Sequence, residues 1–232
     1  MTYEPHIALP EYWLPRPDMQ LAVEMHRKLE AVYQAAVGQG GPAWIDPQLP
    51  VPVWQFLCWL TDVKGHLLHG TGDPGIALFE PRQSNDVGEF GNRKAVYAAS
   101  DGIWPMFFAV SDRSRYPMTI SNAAIRVEMP DGLSRPHYFF SMSDVVLAQK
   151  PWREGVVYVL PRAGFEQEAP YSWQGMPVHT NHWASPEAVQ PLAKLRVRPE
   201  DFPFLARVRA HNDEVLGRRI AAKPHDFPWI ED

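Results

Sequence analysis

Two short segments of this chain place side chains that can bind a nucleotide at the ends of predicted strands. The first is a strand at residues 66–69 that ends in His69-Gly70-Thr71, and the second ends in Tyr97 and small residues. Glycine lets a flat ring reach the backbone amide and carbonyl, and histidine can bond a ribose hydroxyl. Tyrosine can stack on the ring itself. The pair predicts a site for the nicotinamide half of NAD; the alternative is two strand ends with His69 and Tyr97 packed in the core.

Composition limits the class of protein. The chain has 232 residues, of which 45% are hydrophobic and 21% charged, as in one ordinary globular domain with or without an extension. The net charge of −5 argues against a strong nucleic-acid footprint. No uncharged apolar run has the length of a membrane span, so no membrane partner is expected.

The single cysteine, Cys58, lies in an apolar segment. One cysteine excludes an intrachain disulfide and fits a reducing compartment, so we expect a cytoplasmic protein. The surrounding apolar residues indicate that Cys58 is a buried small hydrophobe and not a nucleophile.

The order of predicted elements favours an α+β fold, because helices and strands do not alternate regularly. Proline-rich residues 1–16 are expected to lie extended on the body. Helices are predicted at 17–37, 53–63 and 204–222, with a further helix that begins near Asp101 and contains Pro105. Strands are predicted at 66–69, 94–98, 156–160 and 192–197, with a hairpin formed by 123–129 and 137–142.

Residues 66–110 and 152–197 resemble the ADP-ribosyltransferase superfamily, in the branch of diphtheria toxin and poly-ADP-ribose polymerase with a His-Tyr-Glu signature. His69-Gly70-Thr71 matches the first motif, and Tyr97 followed by a small-residue turn and a helix matches the second. The resemblance implies a split, mostly antiparallel β core with N- and C-terminal helices and NAD in a cleft. It gives His69 a ribose hydroxyl, Gly70 the carboxamide and Tyr97 the nicotinamide ring. Residues 1–50 would then be an extension packed on an ADP-ribosyltransferase-like domain at 51–232.

The third motif departs from the family, because Thr180-Asn181-His182-Trp183 offers His182 where the family has glutamate. A carboxylate at that position would hold the ribose 2′-hydroxyl and stabilise an oxocarbenium-like transition state. An imidazole can hold the hydroxyl but supplies no negative charge. We therefore expect His69, Tyr97 and His182 to be the catalytic residues, with replacement carboxylates sought among Glu166, Glu168 and Glu187.

Further NAD contacts are expected from residues near the two motifs. Thr71 and Ser100 offer hydroxyl groups, and Arg82 can meet a pyrophosphate. Trp104 would extend an aromatic wall, or else pack in the core. Arg162 ends the strand at 156–160, either pointing toward the cleft or lying on the surface.

The sequence therefore predicts an ADP-ribosyltransferase-like protein that uses NAD as substrate, releases nicotinamide and transfers ADP-ribose to an unknown acceptor. The acceptor could be a protein, a nucleic acid, a small molecule or water. One alternative is a module that binds NAD or ADP-ribose without catalysis. Another is an RNA 2′-phosphotransferase-like enzyme, which also carries His-Gly-Thr, although the acidic charge argues against it.

No metal site is expected, since His66 and His69 are three apart on a strand and should point to opposite faces.

Overall fold

The computed structural model describes residues 9–230. Its strands are β1 (Leu14–Pro15), β2 (Ala43–Trp44), β3 (Leu67–Thr71), β4 (Arg82–Gln83), β5 (Lys94–Ala99), β6 (Ile120–Met129), β7 (Gly132–Leu133), β8 (His137–Ser143), β9 (Gly155–Leu160), β10 (Glu166–Gln167), β11 (Tyr171–Trp173), β12 (Met176–Thr180), β13 (His182–Ser185), β14 (Ala193–Val197) and β15 (Arg209–His211). Its helices are α1 (Val23–Val37), α2 (Val53–Asp62), α3 (Trp104–Val110), α4 (Asp144–Leu147) and α5 (Asp213–Ala222), and short 3-10 turns lie at Pro199–Asp201 and Leu205–Arg207.

Within the described residues the strands form two sheets. Sheet I has the order β1-β8-β6-β12-β11, with β7 beside β6 and β15 beside β8. Sheet II has the order β10-β13-β5-β3-β9-β14-β2, with β4 beside β5. The β14–β2 and β15–β8 pairs are parallel, and the other pairs of these two sheets are antiparallel. The predicted α+β class with mostly antiparallel strands is confirmed.

The largest core cluster joins the two sheets to α1, α2 and α3. Sheet I contributes Phe140 and sheet II contributes Val157, while Phe56 and Phe107 come from α2 and α3. Cys58 is fully buried in the same cluster, and burial raises the pKa of its thiol. The prediction that Cys58 is a buried hydrophobe is confirmed.

The continuous apolar run at 156–160 forms the centre of sheet II, as predicted. Strand β9 lies between β3 and β14, and every residue from Gly155 to Leu160 is buried. A strand with neighbours on both edges and side chains packed on both faces needs apolar residues at each position. The predicted hairpin is also confirmed, since β6 and β8 are antiparallel and Gly132, at a φ of 128°, lies in the connection.

Two predicted helices have different bounds in the structure. The first begins at Val23 and not at residue 17, and Ala22 before it is extended. Ion pairs hold the preceding segment against the body, from Arg16 to Asp62 (2.8 Å) and from Asp18 to Arg135 (3.0 Å). These tertiary contacts outweigh the local helical spacing.

The predicted closing helix at 204–222 is wrong in its first half. Residues 205–207 form a 3-10 turn, β15 follows, and α5 begins only at Asp213. Arg209 pairs with Ser141 at the edge of β8, and the Asn212 side chain caps α5 by accepting a hydrogen bond from the Val215 amide. A distant sheet edge and a local cap together end the helix early.

The chain passes from sheet I to sheet II over a single residue. Strand β12 ends at Thr180 and β13 begins at His182. Asn181 between them donates its amide to the Ala124 carbonyl in sheet I (3.3 Å), and its own carbonyl accepts from the Ser100 amide beside sheet II (2.9 Å). We call residues 180–182 the seam.

No helix between residues 9 and 230 combines the length and the apolar character needed to cross a membrane.

Candidate functional site

Strands β3 and β5 separate after a short contact, and the predicted site residues lie at the separation. The two strands share the single residue pair Leu68–Ala99, whereas β3 continues to pair with β9 as far as Thr71. The His69 ring reaches across the gap, with Nδ1 2.7 Å from the Tyr97 carbonyl oxygen. Beyond this pair, the ends of β3 and β5 are therefore connected by the His69 side chain and not by backbone hydrogen bonds.

The His69 imidazole has a defined tautomer. Because the Tyr97 carbonyl can only accept, Nδ1 must carry the proton and donate it. Burial lowers the pKa of His69, and the positive charge of Arg82 acts in the same direction, against the hydrogen bond to Tyr97. The ring packs on Phe79 with 4.7 Å between centroids. A neutral imidazole in this tautomer offers Nε2 as a hydrogen-bond acceptor, and no residue between 9 and 230 occupies it.

Gly70 is required by α3. A Cβ atom at this position would lie 1.7 Å from the Pro105 carbonyl oxygen and 3.1 Å from the Ala109 nitrogen. The side where a side chain would stand is therefore filled by helix backbone and not by open space. We expected the missing Cβ to admit a ligand ring, and the structure supplies a different reason for the glycine. The predicted carboxamide contact stays a prediction.

Thr71 and Ser100 lie on either side of the separation with different local roles. The Thr71 hydroxyl accepts from the Asp73 amide at 3.2 Å and closes the turn after β3. Ser100 donates its amide to Asn181 at the seam, and its hydroxyl has no partner among residues 9–230. Ser100 is the more available of the two hydroxyls.

Tyr97 and His182 are stacked on the same face of sheet II. Their ring centroids are 5.0 Å apart with an interplanar angle of 29°, and their strands are paired through Tyr97–Ala184 and His182–Ala99. Phe90 and Trp104 meet the same imidazole edge-on, at 5.2 and 5.5 Å. Trp104 contacts the His182 ring and also packs against the main core cluster. One face of Tyr97 is already covered, so a nicotinamide ring must use the other face or turn His182 aside.

The Tyr97 hydroxyl forms hydrogen bonds with the backbone of the loop between β4 and β5 and so holds this loop beside the site. It accepts from the Arg93 amide at 2.8 Å and lies within 2.9 and 3.0 Å of the Phe90 and Arg93 carbonyl oxygens. Burial raises the pKa of this hydroxyl. Most of this loop is exposed, but Phe90 is buried against the site.

Of the three candidate carboxylates, Glu168 reaches His182 while Glu166 and Glu187 are exposed. Glu168 Oε2 lies 3.5 Å from His182 Nδ1 and accepts a hydrogen bond from the Thr180 hydroxyl at 2.8 Å. Burial by itself would raise the pKa of Glu168, but the bonds from His182 and Thr180 outweigh it and the pKa is lowered. The carboxylate is therefore ionised at neutral pH.

The two candidate arginines are placed differently. Arg82 is exposed beside β5 and has no ion pair with any described carboxylate. Arg162 lies 4.2 Å over the ring of Trp183, which belongs to the cluster on the opposite face of sheet II from His182. Arg82 stays a candidate for the pyrophosphate, and Arg162 is a surface residue.

The described histidines lie apart from one another in the structure. His66 bonds the Tyr33 hydroxyl at 2.6 Å and His179 contacts Glu128 at 3.3 Å, each away from His69 and His182. Across residues 9–230, no three His, Cys, Asp or Glu side chains are placed to hold a metal ion.

A groove of about 420 Å³ lies near the beginning of β5, lined by Glu80, Pro81, Lys94, Pro186 and Ala188. None of the predicted site residues lines it.

Comparison of the chain with known protein families, curated proteins and solved structures gives no match.

Sequence reasoning missed Phe79 and Phe90. Phe90 is the one aromatic residue in the polar segment 82–93, and a lone aromatic side chain in a polar loop indicates an anchor.

Proposed function

We propose that this protein is an NAD-dependent ADP-ribosyltransferase-like enzyme with a split β core of that superfamily's type. It would release nicotinamide from NAD and transfer ADP-ribose to an acceptor. The observation that carries the proposal is the separation of β3 from β5. The His69 imidazole spans it to the Tyr97 carbonyl, and the Tyr97–His182 stack lies beside it on the face of sheet II opposite the His69–Phe79 contact. His69 and Tyr97 belong to the two matching sequence motifs, and His182 stands where the third motif has glutamate.

The polar groups around the separation suit the parts of NAD. The free Nε2 of His69 is an acceptor for a ribose hydroxyl. The guanidinium of Arg82, which has no ion pair with any carboxylate of residues 9–230, suits the pyrophosphate, because arginine binds phosphate oxygens in a bidentate manner. Thr71, Ser100 and the backbone of Gly70 remain candidates for the carboxamide and the nicotinamide ribose.

The chemistry needs negative charge near the ribose, because breaking the bond to nicotinamide develops positive charge on the sugar. His182 supplies none by itself. Glu168 behind it is ionised and only about one quarter of its side chain is exposed. The negative charge that the family's glutamate would supply is therefore present on Glu168, which contacts His182.

A non-catalytic NAD- or ADP-ribose-binding module is the second candidate. The stacking of His182 on Tyr97, which covers one ring face, favours it. The contact of Glu168 with His182 favours the enzyme, since a module would need no carboxylate at this position. No observation favours an RNA 2′-phosphotransferase, and the net charge of −5 opposes it.

Nicotinamide release from NAD by the purified protein tests the proposal, with His69→Ala and Tyr97→Phe measured beside it. We expect release by the parent and less release by both variants. His69→Ala should raise the dissociation constant for NAD by tenfold or more, equivalent to about 1.4 kcal/mol.

His66→Ala is the matched control, because it removes a neighbouring histidine whose partner is Tyr33 and not the site. It should leave NAD affinity unchanged. Unaltered affinity in His69→Ala would remove the assigned role of His69. A melting temperature of the parent that does not respond to NAD would contradict binding altogether, since a ligand of the native state must stabilise it.

A further inference from the structure

The contact between Glu168 and His182 is fixed from both sides of the seam. The Thr180 hydroxyl holds the carboxylate oxygen that also faces His182 Nδ1. The backbone adds a bond from the Glu168 amide to the His182 carbonyl at 3.0 Å. The hydrogen bond from Thr180 thus orients the Glu168 carboxylate, and the same carboxylate faces the His182 imidazole. Such a carboxylate fixes the tautomer of a histidine and stabilises its protonated form.

The imidazole of His182 is held by aromatic rings and open at one nitrogen. Tyr97 stacks on its face, and Phe90 and Trp104 meet it edge-on. Aromatic faces stabilise a cation placed against them. With Nδ1 directed at Glu168, Nε2 has no hydrogen-bond partner among residues 9–230 and is not among their fully buried polar atoms. Nε2 can therefore receive a proton.

We propose that His182 is the general base that takes the proton of the acceptor and that Glu168 is its positioning residue; this inference rests on the proposed function. In this step the bond between the ribose C1′ and the nicotinamide nitrogen breaks, and its electron pair goes to nicotinamide. A new bond forms between C1′ and the acceptor oxygen. The acceptor proton passes to His182 Nε2 and then to water, while Glu168 stays ionised.

The pair of His182 and Glu168, which we call the dyad, indicates the class of acceptor. A hydroxyl group or water must lose a proton when it attacks C1′, so it benefits from a base. A carboxylate acceptor carries no such proton. The site is therefore suited to a hydroxyl-bearing acceptor or to hydrolysis.

Other charged groups face the dyad and contribute to its pH dependence. Arg93 on the loop acts on Glu168 and pairs with Glu166 at 3.5 Å. Tyr171 on β11 faces Glu168, and burial raises the pKa of this tyrosine to about 12, so it stays neutral throughout the working range. Asp86 acts on Tyr97. Of these groups, Arg93 is the cation that competes with His182 for the carboxylate.

Glu168→Gln tests the dyad through the rate and pH profile of nicotinamide release, with water and then methanol as acceptor. We expect NAD affinity to stay within about twofold while kcat falls by about 100-fold, the usual contribution of general acid–base catalysis. The part of the acid-side fall in rate that comes from protonation of the Glu168 carboxylate should be absent in the variant, because glutamine does not titrate. His182→Ala should lose release and regain part of it with added imidazole, and Glu168→Asp should regain part of the rate.

Glu128→Gln is the matched control, because it breaks a glutamate–histidine contact outside the site. It should leave the rate and pH profile unchanged. Thermal unfolding of each variant reports whether the fold survives.

The failures of the two proposals are distinguishable. If NAD does not raise the melting temperature of the parent, the proposed function falls and the dyad with it. If NAD binds but the parent transfers to neither water nor methanol, the dyad is overturned as a catalytic device. If the parent releases nicotinamide and folded Glu168→Gln keeps its rate and pH profile, the dyad alone is overturned.

Discussion

At the residue scale, Asp101 shows how one buried carboxylate organises the backbone beside the candidate site. Its Oδ1 accepts from the Ile103 and Trp104 amides, both at 2.8 Å, and its Oδ2 accepts from the Tyr138 hydroxyl at 2.6 Å. Burial raises the pKa of Asp101, and these hydrogen bonds oppose the rise. The sequence predicted the beginning of a helix near this position. The structure adds a partner 37 residues away, which no local pattern indicates.

Tyr138→Phe should lower the free energy of unfolding by about 2 kcal/mol, because it leaves a buried carboxylate oxygen without its partner. Denaturant unfolding measures the change. Tyr158→Phe is the control, since within residues 9–230 that hydroxyl bonds only the backbone of Ile76 and Asp73. It should cost about 1 kcal/mol. Equal costs for the two variants would contradict a special role for the Asp101 contact.

At the element scale, α3 lies directly on the backbone of sheet II. A Cβ at Gly70 would meet the Pro105 carbonyl oxygen at 1.7 Å, and one at Gly155 would meet the Ala109 carbonyl oxygen at 2.0 Å. Two glycines on adjacent strands, β3 and β9, thus set the height of the helix above the sheet. The same helix presents Trp104 to His182, so this packing also fixes one wall of the site.

Gly70→Ala should therefore destabilise the fold by about 3 kcal/mol or more, as overpacking against rigid backbone does. Gly217→Ala is the matched control, and we expect it to change stability in the opposite direction. Gly217 lies inside α5 with nothing within 4 Å of its missing Cβ, so alanine should stabilise the protein by about 0.5–1 kcal/mol. Urea midpoints of both variants measure this. A Gly70→Ala protein as stable as the parent would show that α3 does not constrain β3.

Sequence reasoning succeeded where a segment's own pattern determined its structure. The apolar run of β9 and the strands that carry His69 and Tyr97 were predicted on that basis. It failed for the region before α5, because the strand Arg209–His211 exists only through its pairing with β8. Glu168 stayed one of three candidates for the same reason. Its place depends on β10, a two-residue strand whose register on β13 is set by tertiary contacts.

At the scale of the whole molecule, burial lowers the pKa of several histidines, namely His66, His69, His137 and His211. The unfolded chain then binds more protons at these positions than the folded protein once the pH falls below about 6.5. Stability rises with pH wherever the unfolded state binds more protons, so acid removes the contribution of these groups. Asp101, whose pKa is raised, acts in the opposite direction.

His137→Gln isolates one of these groups from the rest. As pH falls from 7.5 to 5.5, the difference in unfolding free energy between variant and parent should move in favour of the variant, because glutamine takes up no proton. Urea unfolding at the two pH values measures the difference. A difference that is constant, or that moves in favour of the parent, would contradict the lowered pKa of His137.

The seam at residues 180–182 determines what happens when the chain is cut into two fragments at this position. Glu168 bonds Thr180 at the end of one sheet and faces His182 at the beginning of the other. Asn181 alone joins the two sheets here, and consecutive Cα atoms are about 3.8 Å apart. A cut at Asn181 would leave β1–β12 in the first fragment and β13, β14, β15 and α5 in the second. Sheet II would lose two of its strands, and the three-residue arrangement could re-form only by complete reassociation. Fragment complementation at this position would therefore report the assembly of the candidate site and of the core together.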